Sequence, residues 1–182
     1  MDDITIERIF AVRSADIRLP NQPFPLFGRL IPRYDGAVWS HSVVLLPPGE
    51  QGEMTFPDEP YDFDRMAGEH LFVGAYCGER CVGLAVYRHS WNRYLYLYDL
   101  KVNRDFRRRG VAGRLIEAGR ELCRGHGYLG IYTQGQDNNL AACLFYLKTG
   151  FVIGGLDTMV YRGTRQEGKH DILFYLTCCK ES

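Results

Sequence analysis

A chain of 182 residues with no net formal charge, 46% hydrophobic and 13% aromatic, carries enough apolar material for one sizeable core. That composition excludes a disordered chain and gives no global case for binding nucleic acid. No apolar run approaches membrane-spanning length, and the N-terminus lacks a basic-then-apolar signal, so the expectation is a single soluble, cytoplasmic domain over residues 1–182.

In chain order, residues 4–12 read as a strand. Residues 20–32 are proline-rich and loop-like, turning apolar from Phe27 to Ile31. Asp35-Gly36 marks a turn into an extended stretch from Val38 to Leu46, which Pro47-Pro48-Gly49 ends. A mobile acidic loop is expected to about residue 60. Strands follow near 69–77, 81–90 and 94–102, then a helix near 111–124, a strand near 128–134 and a helix near 138–148. Strands near 151–162 and 171–179 close the chain. Strands before, among and after helices predict an α/β fold built on a mixed sheet with helices on its faces.

Charge is unevenly distributed. Residues 101–114 carry Lys101, Arg104, Arg107, Arg108, Arg109 and Arg114 against Asp105 alone. Residues 50–64 carry Glu50, Glu53, Asp58, Glu59, Asp62 and Asp64. The basic patch suits a phosphorylated ligand; the acidic stretch is either a solvated loop or a guide for a cationic one. The cysteines Cys77, Cys81, Cys123, Cys143, Cys178 and Cys179 form no Cys-x-x-Cys pair, and no histidine stands at finger spacing. They read as reduced, small apolar residues, with no metal site.

The most informative segment is Arg107-Arg108-Arg109-Gly110-Val111-Ala112-Gly113-Arg114, between the strand of Tyr94–Val102 and the helix that follows. A glycine turn opening a helix exposes unpaired N–H groups at the positive end of the helix dipole. Small residues let a phosphate approach the backbone, and arginines add counter-charge. The segment reads as a pyrophosphate cradle. It lacks the Gly-x-x-x-x-Gly-Lys-Ser/Thr of a P-loop and the Gly-x-Gly-x-x-Gly of a Rossmann turn. A second segment, Asn139 to Phe151, sets Asn139, Ala142 and Tyr146 on one helical face and Leu140, Leu144 and Leu147 on another that can face a core. Asp137 or Asn138 can cap this helix and Gly150 can follow it.

Arg107-x-x-Gly110-x-Ala112 resembles the Arg/Gln-x-x-Gly-x-Gly/Ala signature of the GNAT N-acetyltransferases, and Asn139 to Phe151 resembles their second motif. The resemblance implies an acyl-CoA N-acyltransferase fold, with a central, mostly antiparallel sheet flanked by helices, and acetyl-CoA as cosubstrate. Ile31-Pro32-Arg33-Tyr34, Trp91-Asn92-Arg93-Tyr94, Gln136-Asp137-Asn138-Asn139 and Asp157-Thr158-Met159 further resemble the streptothricin acetyltransferases. Those enzymes inactivate an antibiotic by acetylating an amine on its β-lysine part. The chain departs from that branch at Tyr98-Asp99, where Glu-Asp is common, and at Gln134-Gly135, where Glu-Thr is common. Loss of two carboxylates weakens attraction for a cationic amine.

The resemblance assigns roles by position. The amides from Arg109 to Arg114, including Gly110, Val111, Ala112 and Gly113, would bind pyrophosphate, with Arg107 and Arg108 adding charge. Leu100 and Val102 would pair with the pantetheine arm through their backbone, as an added strand does. Asn139 would hydrogen-bond that arm. Tyr146 would protonate the leaving CoA sulfur, or only orient CoA. Asp99 would take a proton from the amine, directly or through water, or be a structural strand acid. The Leu100 N–H would stabilise the oxyanion. Tyr98, Asp99 and Gln134 would face the acceptor. The expected partners are a small-molecule amine and, for assembly, a second copy in a homodimer; nucleic acid and membranes are not expected. The alternatives are a protein or peptide N-acetyltransferase and a CoA-binding module without turnover.

Overall fold

A computed structural model describes residues 3–178; Cys179 lies outside them. In chain order the strands are β1 (Ile4–Arg8), β2 (Phe24–Leu26), β3 (Gly28–Tyr34), β4 (Trp39–Leu45), β5 (Gly52–Met54), β6 (His70–Cys77), β7 (Arg80–Arg88), β8 (Tyr94–Val102), β9 (Gly130–Gln136), β10 (Val152–Asp157) and β11 (Asp171–Thr177). The α-helices are α1 (Phe63–Met66), α2 (Val111–His126) and α3 (Leu140–Lys148). The backbone groups into two compact units. The first holds residues 3–22, 56–131 and 177–178; the second holds 23–55 and 132–176.

In the first unit β1, β6, β7 and β8 lie side by side, each antiparallel to the next. β6 and β7 are buried almost throughout, from Phe72 to Tyr76 and from Val82 to Tyr87, because both sheet faces are covered. α2 covers one face. Its buried stripe is Val111, Leu115, Ile116, Gly119 and Cys123, whereas Ala118 and Leu122 are half-exposed. Two glycines set the helix-to-sheet distance. A Cβ on Gly83 would meet Val111 at 3.2 Å and Leu115 at 3.3 Å, and one on Gly119 would overlap the Tyr87 phenol. The Tyr87 hydroxyl instead donates to the Leu115 carbonyl at 2.9 Å. The other face packs Leu84, Val86, Phe72 and Tyr76 against Ile9, Ile17 and Tyr61. β1 is shorter than the expected 4–12, because residues 11–18 wind into a 3₁₀ helix that buries Ile17.

In the second unit β3 and β4 form the hairpin predicted around Asp35-Gly36, with the Asp35 carboxylate accepting from the Ala37 and Val38 N–H groups. The acidic stretch contains a short strand that its polar sequence concealed: β5 pairs with β2. β10 pairs with β11 across a bulge at Gly154, where a Cβ would collide with the Tyr175 ring. β10 ends at Asp157, so residues 158–162 of the expected last-but-one strand are turns; the Asp157 carboxylate accepts from the Met159 and Val160 N–H groups and bends the chain there. α3 buries Leu140, Cys143 and Tyr146, the stripe at i, i+3 and i+6, while Leu144 is 39% exposed and does not face the core as expected.

Candidate active site

β8 pairs with β7 and delivers its C-terminal end to the loop before α2. Its pairing with β7 aligns Tyr87 with Leu97 and Val86 with Asp99, so Tyr98 is the extra residue of a β-bulge. The bulge shifts the alternation of side chains. Leu95 and Leu97 are buried, and without the bulge Asp99 would share their face. Instead Asp99 meets Tyr61, on the opposite layer: the Tyr61 hydroxyl donates to Asp99 Oδ2 at 2.8 Å. The Lys101 ammonium, two residues on and 8% exposed, reaches the same oxygen at 3.1 Å. Asp99 Oδ1 has no partner among the described residues. Burial, then the Asp99 charge, push the Tyr61 phenol far above its ordinary pKa, so it stays a neutral donor.

The acidic stretch comes to this place. A cavity of about 410 Å³ is lined by Asp58, Glu59, Tyr61, Asp62 and Lys101, together with Arg18, Leu19 and Pro60. Two of its acids also hold the chain: Asp58 accepts from the Asn21 N–H, and Asp62 caps α1 by accepting from the Arg65 N–H. On the far side of Tyr98 stand Tyr96, His70 and Arg88, with the Arg88 guanidinium carbon 5.3 Å from the Tyr96 ring and 5.5 Å from the Tyr98 ring.

The loop after β8 is built to hold one shape. The Asn103 side chain accepts from the Asp105 N–H, and Phe106 is buried beneath the Arg80 and Arg109 guanidinium groups. Arg107 turns inward: its Nε donates to the Val102 carbonyl at 3.0 Å and its Nη2 to the Gln22 carbonyl at 3.4 Å. The signature arginine thus tethers the loop to the end of β8. Arg108 and Gly110 both take left-handed backbone angles, at φ 60° and 80°. Gly110 is the N-cap of α2 and offers no side-chain acceptor, so the first-turn N–H groups are left for another partner. Among the described residues, apart from chain neighbours and the helix's own backbone, no atom lies within 4 Å of where a Cβ on Gly110 or Gly113 would stand. Arg108, Arg109 and Arg114 are exposed around this opening. Open amides, a helix N-terminus and surrounding arginines fit a pyrophosphate.

The second unit carries the remaining predicted residues. Asn139, and neither Asp137 nor Asn138, caps α3: its Oδ1 accepts from the Ala142 N–H at 3.3 Å. That leaves the side-chain NH₂ as the group it can offer elsewhere. Asp137 is 1% exposed and binds the chain together, accepting from the His170 N–H at 3.1 Å and lying 3.4 Å from Arg29 Nε. The Asn138 side-chain oxygen is buried with no partner among the described residues. Gln134 is exposed on β9. Tyr146 is 8% exposed, its ring 5.3 Å from Phe151 and 5.3 Å from Phe174. A Cβ on Gly135 would stand 3.0 Å from Phe174 and 3.5 Å from Tyr146, so glycine there is what gives these rings room.

Within the first unit, then, the fold gathers Tyr98, Asp99, Leu100 and Val102 on one strand and Arg107 to Arg114 at its end; within the second it gathers Gln134, Asn139 and Tyr146. Sequence reasoning missed Tyr61, Lys101, His70 and Arg88. Only Lys101 carried a signal, its two-residue spacing from Asp99 on a strand.

Residues 40–151 match the model of the acetyltransferase (GNAT) family. The chain is 30% identical over 170 residues to streptothricin acetyltransferase A of Bacillus subtilis (strain 168), covering 93% of this chain and 98% of that one. A Bacillus anthracis structure named for a streptothricin acetyltransferase assignment, in complex with acetyl coenzyme A, superposes with a TM-score of 0.84 at 26% identity, covering 96% of this chain and 98% of that one. A nourseothricin acetyltransferase shares the fold with a TM-score of 0.79 at 23% identity, covering 97% and 99%. The chain belongs to the acetyltransferase (GNAT) family: it is an acetyltransferase with the acyl-CoA N-acyltransferase fold, a mixed, mostly antiparallel sheet flanked by helices.

Proposed function

We propose that this protein, acting as one N-acetyltransferase domain, transfers the acetyl group of acetyl-CoA to a primary amine of a small cationic molecule, with streptothricin the first acceptor to test. The observation that carries this reading is Asp99 Oδ1, left open on a carboxylate whose other oxygen is held by Tyr61 and Lys101. The similarity to Bacillus subtilis streptothricin acetyltransferase A over 93% of the chain supports the acceptor.

Acetyl-CoA supplies an activated thioester. The N–H groups at the start of α2 and the arginines around them hold its pyrophosphate, and Leu100 and Val102 present backbone groups to the pantetheine arm. The Asn139 NH₂ is a donor for the same arm. A lysine-like amine has a solution pKa of about 10.4 and arrives protonated. Asp99 Oδ1 takes that proton, directly or through water, and the freed lone pair attacks the thioester carbon. The Leu100 N–H takes the charge that develops on oxygen. The C–S bond breaks, Tyr146 gives the sulfur a proton, and the second proton leaving the acetylated nitrogen returns through water to the Tyr146 oxygen. Asp58, Glu59 and Asp62 supply the negative field that Tyr98 and Gln134 do not.

The test is kcat/KM for streptothricin beside polyamines, aminoglycosides and peptide N-termini. Efficient acetylation of streptothricin is expected. Negligible streptothricin turnover with efficient peptide acetylation would overturn the small-molecule reading.

A further inference from the structure

The sheet face beyond Asp99 carries a charge that acetyl transfer to a simple polycation does not use. Arg88, at the end of β7, is half-buried, and its guanidinium lies against two rings, 5.3 Å from Tyr96 and 5.5 Å from Tyr98. Among the described residues no carboxylate pairs with it. An arginine beside two aromatic rings and without a counter-ion keeps its N–H groups for an acceptor. Carboxylates match those groups with two parallel hydrogen bonds.

The neighbouring groups do not compensate. Tyr98 continues to Tyr61, ring to ring at 6.3 Å. His70 stands edge-on to Tyr98 at 5.6 Å, with its Nδ1 3.1 Å from the Met66 carbonyl, which can only accept. The proton is therefore on Nδ1. Burial, together with the Arg88 charge, holds this imidazole below the ordinary histidine range, so it is neutral at physiological pH. Arg88 is the cation beside Tyr96 and Tyr98, with the Glu69 charge also acting on His70, and Asp99 is the carboxylate at the other end.

The register sets their separation. Arg88 pairs with Tyr96 and Val86 pairs with Asp99. Arg88 and Val86 are two residues apart on one strand, about 7 Å at the rise of a β-strand. A face with an amine-directed carboxylate at one end, an unpaired guanidinium at the other and tyrosines between them is complementary to a molecule with opposite ends.

We infer that Arg88, flanked by Tyr96 and Tyr98, is a subsite for a carboxylate on the acceptor, and that the acceptor class is an amine separated from a carboxylate by several methylenes, as in an ω-amino acid or lysine. This rests on the reading of Asp99 as the amine-facing acid.

The experiment compares 6-aminohexanoate with hexylamine, and lysine with cadaverine, for wild type, Arg88→Gln and Arg88→Lys. Two readouts are taken: CoA release, and calorimetric binding of 6-aminohexanoate. Wild type prefers each carboxylate-bearing member. Arg88→Gln loses about 10- to 100-fold on 6-aminohexanoate, the scale of a charge-assisted pair, with hexylamine turnover, acetyl-CoA affinity and unfolding temperature unchanged. Arg88→Lys recovers part of the loss. Equal loss on both members of a pair, or no preference in wild type, overturns the subsite and leaves acetyl transfer standing. Arg88-dependent binding of 6-aminohexanoate without CoA release from any amine leaves the subsite standing and overturns the transfer reading. Neither binding nor transfer overturns both.

Discussion

Tyr146 illustrates how one side chain can serve packing and chemistry together. Its ring is part of the second unit's aromatic core, against Phe151 and Phe174, so its position is set by neighbours that touch no ligand. Tyr146→Phe keeps that packing and removes the hydroxyl alone. If the phenol protonates the departing sulfur, turnover falls by ~10²–10⁴ with little change in acetyl-CoA affinity. Steady-state rates beside calorimetric affinities measure both; near-native turnover, with chemistry limiting, would remove the role. What could be read at this scale depended on distance along the chain. Asp99 was visible because it interrupts an aromatic strand. Tyr61 was not, because the bond that ties it to Asp99 spans 38 residues and depends on the bulge at Tyr98. No local pattern announces a bulge; the partner strand's register creates it. Leu144 failed for a related reason: helical spacing shows which residues share a face, and the neighbouring layer decides which face is covered.

The elements that meet at the cradle were the most legible. β8 has the bounds its alternating aromatics predicted, and α2 begins where Gly110 said it should. The cradle follows from that junction: left-handed Gly110, a first helical turn without a side-chain cap, and Arg107 bonded back to Val102. Gly110→Asp strains the backbone by roughly 1–2 kcal/mol and sets a negative charge where phosphate is expected. Calorimetry should show a large loss of acetyl-CoA affinity in a protein that still unfolds cooperatively. Full affinity in such a variant would place the phosphates elsewhere. The α3 cap was misplaced because Asp137, Asn138 and Asn139 are all competent acceptors, and burial removes Asp137 from the contest. β5 was concealed because a three-residue strand, Gly52–Met54, has too few side chains to show a period.

For the molecule as a whole, neutrality hides a division of labour: arginines at the start of α2, carboxylates beside Lys101. The sequence showed both blocks, and the fold decides their use, since Asp58, Glu59 and Asp62 line the cavity and Asp64 does not. Asp58→Asn, Glu59→Gln and Asp62→Asn together keep the side-chain acceptors at Asn21 and at the α1 cap while removing the charge. The apparent KM for a cationic acceptor should rise, more at low salt than at high salt, because exposed charges are screened within about 10 Å at 0.1 M ionic strength. An unchanged KM at low salt would return the stretch to a solvated loop.

The central claim is that this chain turns over acetyl-CoA with an amine, with Asp99 as the base. It is tested most directly by measuring CoA release with streptothricin and the amine panel for wild type and Asp99→Asn, at acetyl-CoA concentrations that calorimetry shows to be saturating for both. The account predicts rapid amine-dependent release by wild type and a loss of ~10²–10⁴ in Asp99→Asn at unchanged acetyl-CoA affinity. Tight acetyl-CoA binding with no release in the presence of any amine would contradict it, and would make the protein a CoA-binding module.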